Sequence, residues 1–338
     1  MSFLLSGPAL VLLDHHEGTV RPPVFELLTA ARGLGVPVFG VWFGDGLEDG
    51  LEDGFGALSA LGDAGVARVY RVGLSGSGSL APDSRLTPVA AEAMTAVAVE
   101  QAASLVLLTS TFENKEIAAR VGAATGAGVV VDASGVAVTG GRVVADKTVF
   151  AGTWNTRCAI TTALAVVALK PNSVQAEPAD IPTTPEVVVV DVVVSDRALA
   201  VTLVERTERP ASGRPELGGA QVVVAGGRGT EGDFSPLEEL ADLLGGAVGA
   251  TRVATDEGWI GHDAQIGQTG VTIAPRLYVG AGVSGAVHHR GGMQAAGTIV
   301  AVNSDPEAPI FEIADFGVVG DLFTVLPQAA AELRRLKG

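Results

Sequence analysis

A single cysteine, Cys158, stands in 338 residues. Intramolecular disulfides, all-cysteine iron–sulfur clusters and multi-thiolate zinc sites are thereby excluded, so redox chemistry would fall to an organic cofactor. Positive charge is scarce as well: 22 Lys and Arg face 38 Asp and Glu, a net charge of −16. That balance argues against a nucleic-acid partner, whose phosphates need a basic footprint. Long apolar runs are missing, although 47% of the residues are hydrophobic. The most apolar windows, CAITTALAVVAL (Cys158 to Leu169) and EVVVVDVVVS (Glu186 to Ser195), are shorter than the roughly 20 residues of a membrane-spanning helix. Buried parallel strands rich in Val and Ala account for such windows, and membrane insertion is not expected. The N-terminal stretch MSFLLSGPALVLLDHHEG has no basic n-region, so it is expected to lead into a first strand of a cytoplasmic protein. No lysine follows a glycine, which removes the P-loop pattern of kinases and ATPases.

What is present alternates between two textures. ALVLLD, PVFELLTAAR and VPVFGVWFG read as strand, helix and strand, with Gly33 and Gly35 stopping the helix. Helices are expected at TPVAAEAMTAVAVEQAA and KEIAARVGAATG, around the strand SLVLLTS. Short β pieces follow in GVVVDASGVAVTGGRVVADKTVFAG, then the strands EVVVVDVVVS and ALAVTLVERTE. The polar stretch RTERPASGRPELGG (Arg206 to Gly219) reads as a linker. Beyond it come the strand QVVVAGG, a helix opened by a capping box from Ser235 to Glu238, and the strands ATRVAT, RLYVGAG and TIVAVN. The helix DLFTVLPQAAAELRRL ends the chain's regular structure. The expected fold is α/β with two domains, each a mostly parallel sheet with flanking helices. Their bounds are 1–206 and 220–338, with a linker at 207–219, and the second domain is doubly wound.

In such sheets ligands sit beyond the carboxyl ends of strands. Glycine-rich stretches follow three strands of the second half: GGRGT after QVVVA, the segment containing IGQTG after ATRVAT, and GVSGAVHHRGGM after RLYVGA. Glycines there let backbone N–H groups approach a phosphate or a flat ring. The spacing GxGxxG occurs at Gly227–Gly232 and Gly280–Gly285, but neither match opens a good Rossmann helix, and AVHHRGG reads as a poor helix start. Together they favour a dinucleotide without choosing one, and a nicotinamide-dependent oxidoreductase stays open. Ser284 lies in an incomplete GxSxG pattern, and no histidine follows His289 to complete a hydrolase triad. His288 and His289 are sequence neighbours that point apart, so they make a poor metal pair. His15 and His16 read as a polar strand end.

The motifs GGRG, IGQTG, LYVGAGVSGAVHHRGGM and TIVAVNSDPEAPIFEIADFGVVGDLF, in this order from Gln221 to about Pro327, resemble the alpha subunit of electron transfer flavoprotein. The first half agrees in TAARGLGVPV and around KEIAARVGAATG. The resemblance implies an FAD-binding C-terminal domain and pairing of the N-terminal domain with a beta subunit. The implied role is an electron carrier without substrate turnover of its own, working through one-electron flavin semiquinone chemistry. Electrons would come from flavin dehydrogenases such as those of fatty acid beta-oxidation and leave to a membrane quinone oxidoreductase. A bifurcating form, with a second FAD in the beta subunit, is the alternative within the family.

By the same resemblance Arg228 and Thr251 contact the dinucleotide, and Arg252 lies over the isoalloxazine ring. Ile266, Gly267, Gln268 and Thr269 line the flavin and ribityl region, with Thr269 near N5. Ser284, Gly285, Ala286, Val287, His288 and His289 wrap the pyrimidine edge and the pyrophosphate side. Asn303, Asp321 and Leu322 hold the adenosine end. His289 is expected to supply a cation or an N–H donor at the N1/C2=O edge of the flavin. His288 stands where the family usually has Gln, Arg290 where an apolar residue is common, and Thr251 where Ser is usual.

Overall fold

The computed structural model describes residues 5–44, 46–47, 52–77, 82–150, 153–205 and 213–337. The chain divides into two compact units, Met1–Lys147 with Thr156–Glu208, and Thr148–Asn155 with Arg209–Gly338. Arg206 to Ser212, half of the expected linker, lies outside the described residues.

The first unit opens with β1 (Ala9–Leu12), a small antiparallel hairpin of β2 (His15–His16) and β3 (Thr19–Val20), and α1 (Pro22–Arg32). Next come β4 (Val38–Phe43), α2 (Glu52–Asp63), β5 (Arg68–Ser75), α3 (Thr87–Glu100), β6 (Leu105–Thr109) and α4 (Phe112–Thr125). The strands β7 (Gly128–Ala133), β8 (Gly135–Thr139), β9 (Arg142–Val149) and β10 (Trp154–Ala159) lead to β11 (Ala165–Leu169), β12 (Glu186–Val193) and the one-turn α5 (Asp196–Leu199). Seven strands form a parallel sheet in the order β12-β5-β4-β1-β6-β11-β7, while β8, β9 and β10 make a separate small sheet. The central strands are apolar along their whole length because helices cover both faces. Leu105, Leu107 and Val167 pack toward Leu27, Leu28 and Leu61, whereas Val106, Leu108 and Val166 pack toward Met94, Val97 and Val121.

One sequence expectation fails here for a local reason. The described part of ALAVTLVERTE, Ala198 to Glu205, is no strand: Ser195 caps α5 by accepting the amide of Ala198, and residues 200–205 are irregular, while Arg206 to Glu208 lie outside the described residues. Helix α2, which carries Gly54, Gly56 and Gly62, is not anticipated from the sequence. His15 and His16 do end a strand region; the His15 ring stacks on Trp42 at 3.8 Å, and its Nε2 lies 2.7 Å from the Phe43 carbonyl oxygen.

The second unit is a five-stranded sheet, all parallel, in the order β14-β13-β15-β16-β17. Its strands are β13 (Val222–Gly226), β14 (Ala247–Ala250), β15 (Leu277–Ala281), β16 (Thr298–Asn303) and β17 (Phe316–Val319). Its helices are α6 (Ser235–Leu244), α7 (Arg252–Asp256), α8 (Val287–Met293) and α9 (Leu322–Lys337). Val224, Val279 and Val302 face Leu237, Leu240 and Leu326 of α6 and α9, while Val223, Ala225, Tyr278 and Ile299 face Ile266, Ile273 and Met293. Covered on both faces, this sheet is doubly wound as expected. The strand placed at ATRVAT is instead β14, four residues of small side chains ending at Ala250, and Arg252 already begins α7. AVHHRGG, read as a poor helix start, folds into α8. The capping box is also absent: Asp233 accepts the Ser235 amide at 2.9 Å and its hydroxyl at 2.6 Å, so the acceptor lies two residues earlier.

Candidate functional site

The strand order reverses at β13: α6 carries the chain to β14 on one side, and β15 lies on the other. A crevice at the carboxyl ends of the strands is the usual ligand position at such a point. The loops that leave these strands are brought into close contact by glycine geometry. A Cβ on Gly227 would stand 2.3 Å from the Gly282 carbonyl oxygen, and one on Gly229 2.7 Å from the Gly282 Cα. Only bare backbone fits, and hydrogen bonds clip it: Gly229 N to Gly282 O at 3.1 Å, and Gly227 N to Ala281 O at 3.1 Å. Gly282 has φ +63, a conformation that costs an L side chain about 1 to 2 kcal/mol.

The residues predicted from sequence come together along this edge in the spatial order of the strands. Thr251 and Arg252 follow β14; Arg228 follows β13; Ser284 to His289 follow β15; Asn303 ends β16; Asp321 and Leu322 lie beyond β17. Ile266 to Thr269 join them because Ile266 N bonds Ala250 O at 2.9 Å and Gln268 N bonds His288 O at 3.0 Å. Gly267, at φ +148, packs its Cα against Gly292, which brings that loop onto α8. Arg228, Arg252, Gln268, Thr269, Ser284, Ala286, Val287 and His288 are exposed, and Gly285 is buried against Ile310.

Three assignments change in kind. Ile266 is 1% exposed and Leu322 5%, so both side chains belong to the core, leaving only their backbone for a ligand. His289 is the larger correction. Its ring is buried, with Nε2 2.7 Å from the Tyr278 hydroxyl and Nδ1 3.1 Å from the Ile266 carbonyl oxygen. A carbonyl only accepts, so Nδ1 carries the proton and Nε2 accepts from Tyr278. Burial lowers the imidazole pKa to about 4, and burial likewise raises that of Tyr278. His289 is therefore a neutral strut with both ring nitrogens occupied, not a cation; the backbone N–H is spent on Ala286 O at 2.9 Å. Arg290 is bound too, through Nη1 to Glu312 at 2.9 Å.

Other groups are tied in ways that leave a function open. Buried Gln265 donates through Nε2 to the Thr269 hydroxyl at 2.9 Å and accepts from Thr255 at 2.9 Å. With its oxygen already accepting, Thr269 has its O–H proton left to donate outward. Asn303 donates to Val283 O at 2.9 Å and accepts from Asp305 N at 3.0 Å, bracing the loop after β15. Asp321 accepts from Phe323 N and the Thr324 hydroxyl at the start of α9. The guanidinium of Arg252 pairs with Asp256 at 3.1 Å and stays 65% exposed. Thr251 stands apart: its Oγ1 is buried among the described residues with no hydrogen-bond partner. A desolvated orphan hydroxyl beside a glycine cradle fits a polar ligand that would satisfy it.

Tyr278, Gln265, Thr230 and Glu312 escaped the sequence reading. Tyr278 carried a signal. It is one of two tyrosines in the chain and sits in an otherwise aliphatic strand, where a buried hydroxyl needs a partner. Thr230, fully buried, bonds Gly227 O at 2.9 Å and shapes the first glycine turn.

Comparison with known proteins agrees with this geometry. Residues 216–294 match the electron transfer flavoprotein FAD-binding domain, and residues 9–211 match the electron transfer flavoprotein domain. The chain is 42% identical over 333 residues to the electron transfer flavoprotein subunit alpha of Mycobacterium leprae (strain TN), covering 98% of this chain and 99% of that one. The subunit alpha of Bacillus subtilis (strain 168) is 33% identical over 335 residues, covering 97% of each. The mitochondrial subunit alpha of Dictyostelium discoideum is 53% identical over 135 residues, 39% of this chain and 38% of that one. With both halves matched and the glycine cradle of the second unit fitting the cofactor, the chain belongs to the electron transfer flavoprotein alpha-subunit family and its cofactor is FAD.

Proposed function

We propose that this chain is the FAD-bearing half of a heterodimer completed by an electron transfer flavoprotein beta subunit. It takes electrons from flavin dehydrogenases, including acyl-CoA dehydrogenases of fatty acid beta-oxidation, and delivers them to a quinone oxidoreductase at a membrane. The chain itself stays in the cytoplasm; no helix among the described residues is long and apolar enough to cross a membrane. In this reading residues 1–206 pair with the beta subunit, 207–219 act as a linker, and 220–338 hold FAD.

The observation that carries the proposal is the exposure of the residues assigned to the flavin ring. Arg252, Gln268, Thr269 and His288 line the outer side of the site rather than closing over it. A carrier must present its redox centre to other proteins. When bound, FAD supplies the capacity to take up two electrons and to pass them on singly. Around it, Thr251 Oγ1 and the backbone of Gly227 to Gly229 and Gly282 to Gly285 hold the dinucleotide. Thr269 offers a hydrogen-bond donor kept in orientation by Gln265. The positive field comes from Arg252 and Arg228, since His289 is neutral.

Counting flavins in the co-expressed heterodimer is the test. One FAD per heterodimer is expected. Two would assign the bifurcating form, and a colourless complex would overturn the proposal.

A further inference from the structure

The chain has four lysines: Lys115, Lys147, Lys170 and Lys337. Three of them converge in the first unit on a single carboxylate, Asp132, in a protein whose net charge is −16. Lys115, in the first turn of α4, bonds Asp132 through Nζ at 2.7 Å. Lys170 directly follows β11, and Lys147 lies on β9. Asp132 is fixed in turn: its Oδ1 accepts from Ser110 Oγ at 2.9 Å, and its amide donates to the same oxygen at 3.1 Å. The backbone there is bent for the purpose, with Asp132 at φ +55 where the register between β7 and β11 shifts. Non-glycine residues hold such conformations only when their surroundings enforce them.

Charge bookkeeping leaves this cluster incomplete. One carboxylate among three ammonium groups leaves two positive charges uncompensated. Lys170 is the sharpest case. It is 8% exposed. Burying an ammonium is costly, and desolvation pulls its pKa down against the opposing charge of Asp132. Lys115 and Asp132 are 29% and 33% exposed, so the cluster opens on one side. The amino end of the 14-residue helix α4 adds positive potential beside Lys115.

We propose that the carboxyl ends of β6, β7 and β11 form an anion site for a phosphate group, held by Lys115, Lys147 and Lys170 and oriented by Asp132 and Ser110. Two surplus charges match a phosphate dianion, and lysine binds phosphate as a point charge without bidentate geometry. The site lies at the carboxyl ends of the parallel strands of the first unit, where ligands of such sheets bind. The same chemistry serves free phosphate and a phosphomonoester.

The FAD-loaded protein, purified with its partner subunit, is titrated with inorganic phosphate by calorimetry at constant ionic strength, and in parallel with glycerol phosphate. One phosphate per alpha chain is expected, with chloride giving no heat. Lys170→Met is expected to weaken phosphate binding at least about tenfold, the loss of one charge-assisted hydrogen bond. Lys147→Gln, on a half-buried side chain, is expected to weaken it as well and decides the matter if Lys170→Met fails to fold. Glycerol phosphate binding as tightly as phosphate assigns a phosphomonoester; binding of phosphate alone assigns the free ion. No heat from either, or affinity unchanged in Lys147→Gln and in folded Lys170→Met, overturns the proposal. FAD content in each variant reports separately on the flavin site.

Discussion

At the scale of the residue, the site separates side chains that hold the loops from side chains left to meet the cofactor. His289 belongs to the first kind. Tyr278→Phe leaves His289 Nε2 buried without its donor and is expected to cost about 1 to 3 kcal/mol in a urea melt of the FAD-loaded protein. A melt equal to wild type would remove Tyr278 from this role. Thr251, with its orphan hydroxyl, is proposed for the second kind. Thr251→Val is expected to leave the cofactor-free protein as stable or more stable, since it removes an orphan hydroxyl, while FAD affinity falls about tenfold. Fluorescence titration and a melt of the apoprotein check both halves; unaltered FAD affinity would refute the role. His289 has a folded pKa lowered to about 4 against 6.5, so the unfolded chain takes the proton first and stability is lost as pH falls from about 6.5 toward 4. The loss amounts to about 3 kcal/mol at most. Asp14 works oppositely: desolvation raises its carboxyl to about 6, so the stability of its protonated form is lost as pH rises from 3.8 through 6. Hydrogen exchange between pH 7 and 5 should therefore show the β13–β17 sheet loosening while the strands around Asp14 tighten. Equal slopes in both would contradict these assignments.

At the scale of the element, the glycine loops test whether space or conformation matters. Gly245 and Gly282 share φ +63, but a Cβ on Gly245 meets nothing within 4 Å, whereas one on Gly282 lies 2.8 Å from the Gly229 Cα. Gly245→Ala is expected to cost about 1 to 2 kcal/mol, the conformational penalty alone. Gly282→Ala is expected to cost about 1 to 3 kcal/mol more and to lower FAD content, because two strand-end loops would have to separate. Similar melting losses for the two would mean that the loop contact yields easily. Most strands were legible because buried parallel strands read as short apolar runs: β16 occupies TIVAVN and β15 falls within RLYVGAG. What escaped reading were elements whose cues are not local. α8 contains two glycines and adjacent histidines, and it persists because Met293 and His289 are buried against the sheet. β14 ends at Ala250 because Thr251 takes the position before a helix, which a hydrophobic pattern does not reveal.

At the scale of the whole molecule, the proposed linker is a length that can be altered. Shortening the stretch from Arg206 to Gly219 is expected to slow electron delivery to partners in stopped-flow mixing while FAD content stays constant. Unchanged rates would sink the idea that this segment lets the flavin domain reach different partners.

The sequence by itself determined the fold class, because periodicity and strand composition are local consequences of burial on one or both faces. It also determined the family, and the strand ends where loops must close on one another, because glycine spacing reports where backbone must come close. It could not give the order of the strands. β11 lies between β6 and β7 although four strands and a helix separate β6 from it along the chain. That insertion is what brings Lys170 beside Asp132 and Lys115. Nor could it say which way His289 points, since a histidine at a cofactor edge and a histidine bonded to a buried tyrosine look the same in one dimension. Tertiary structure decided these matters, because hydrogen-bond partners and desolvation belong to neighbours in space rather than neighbours along the chain.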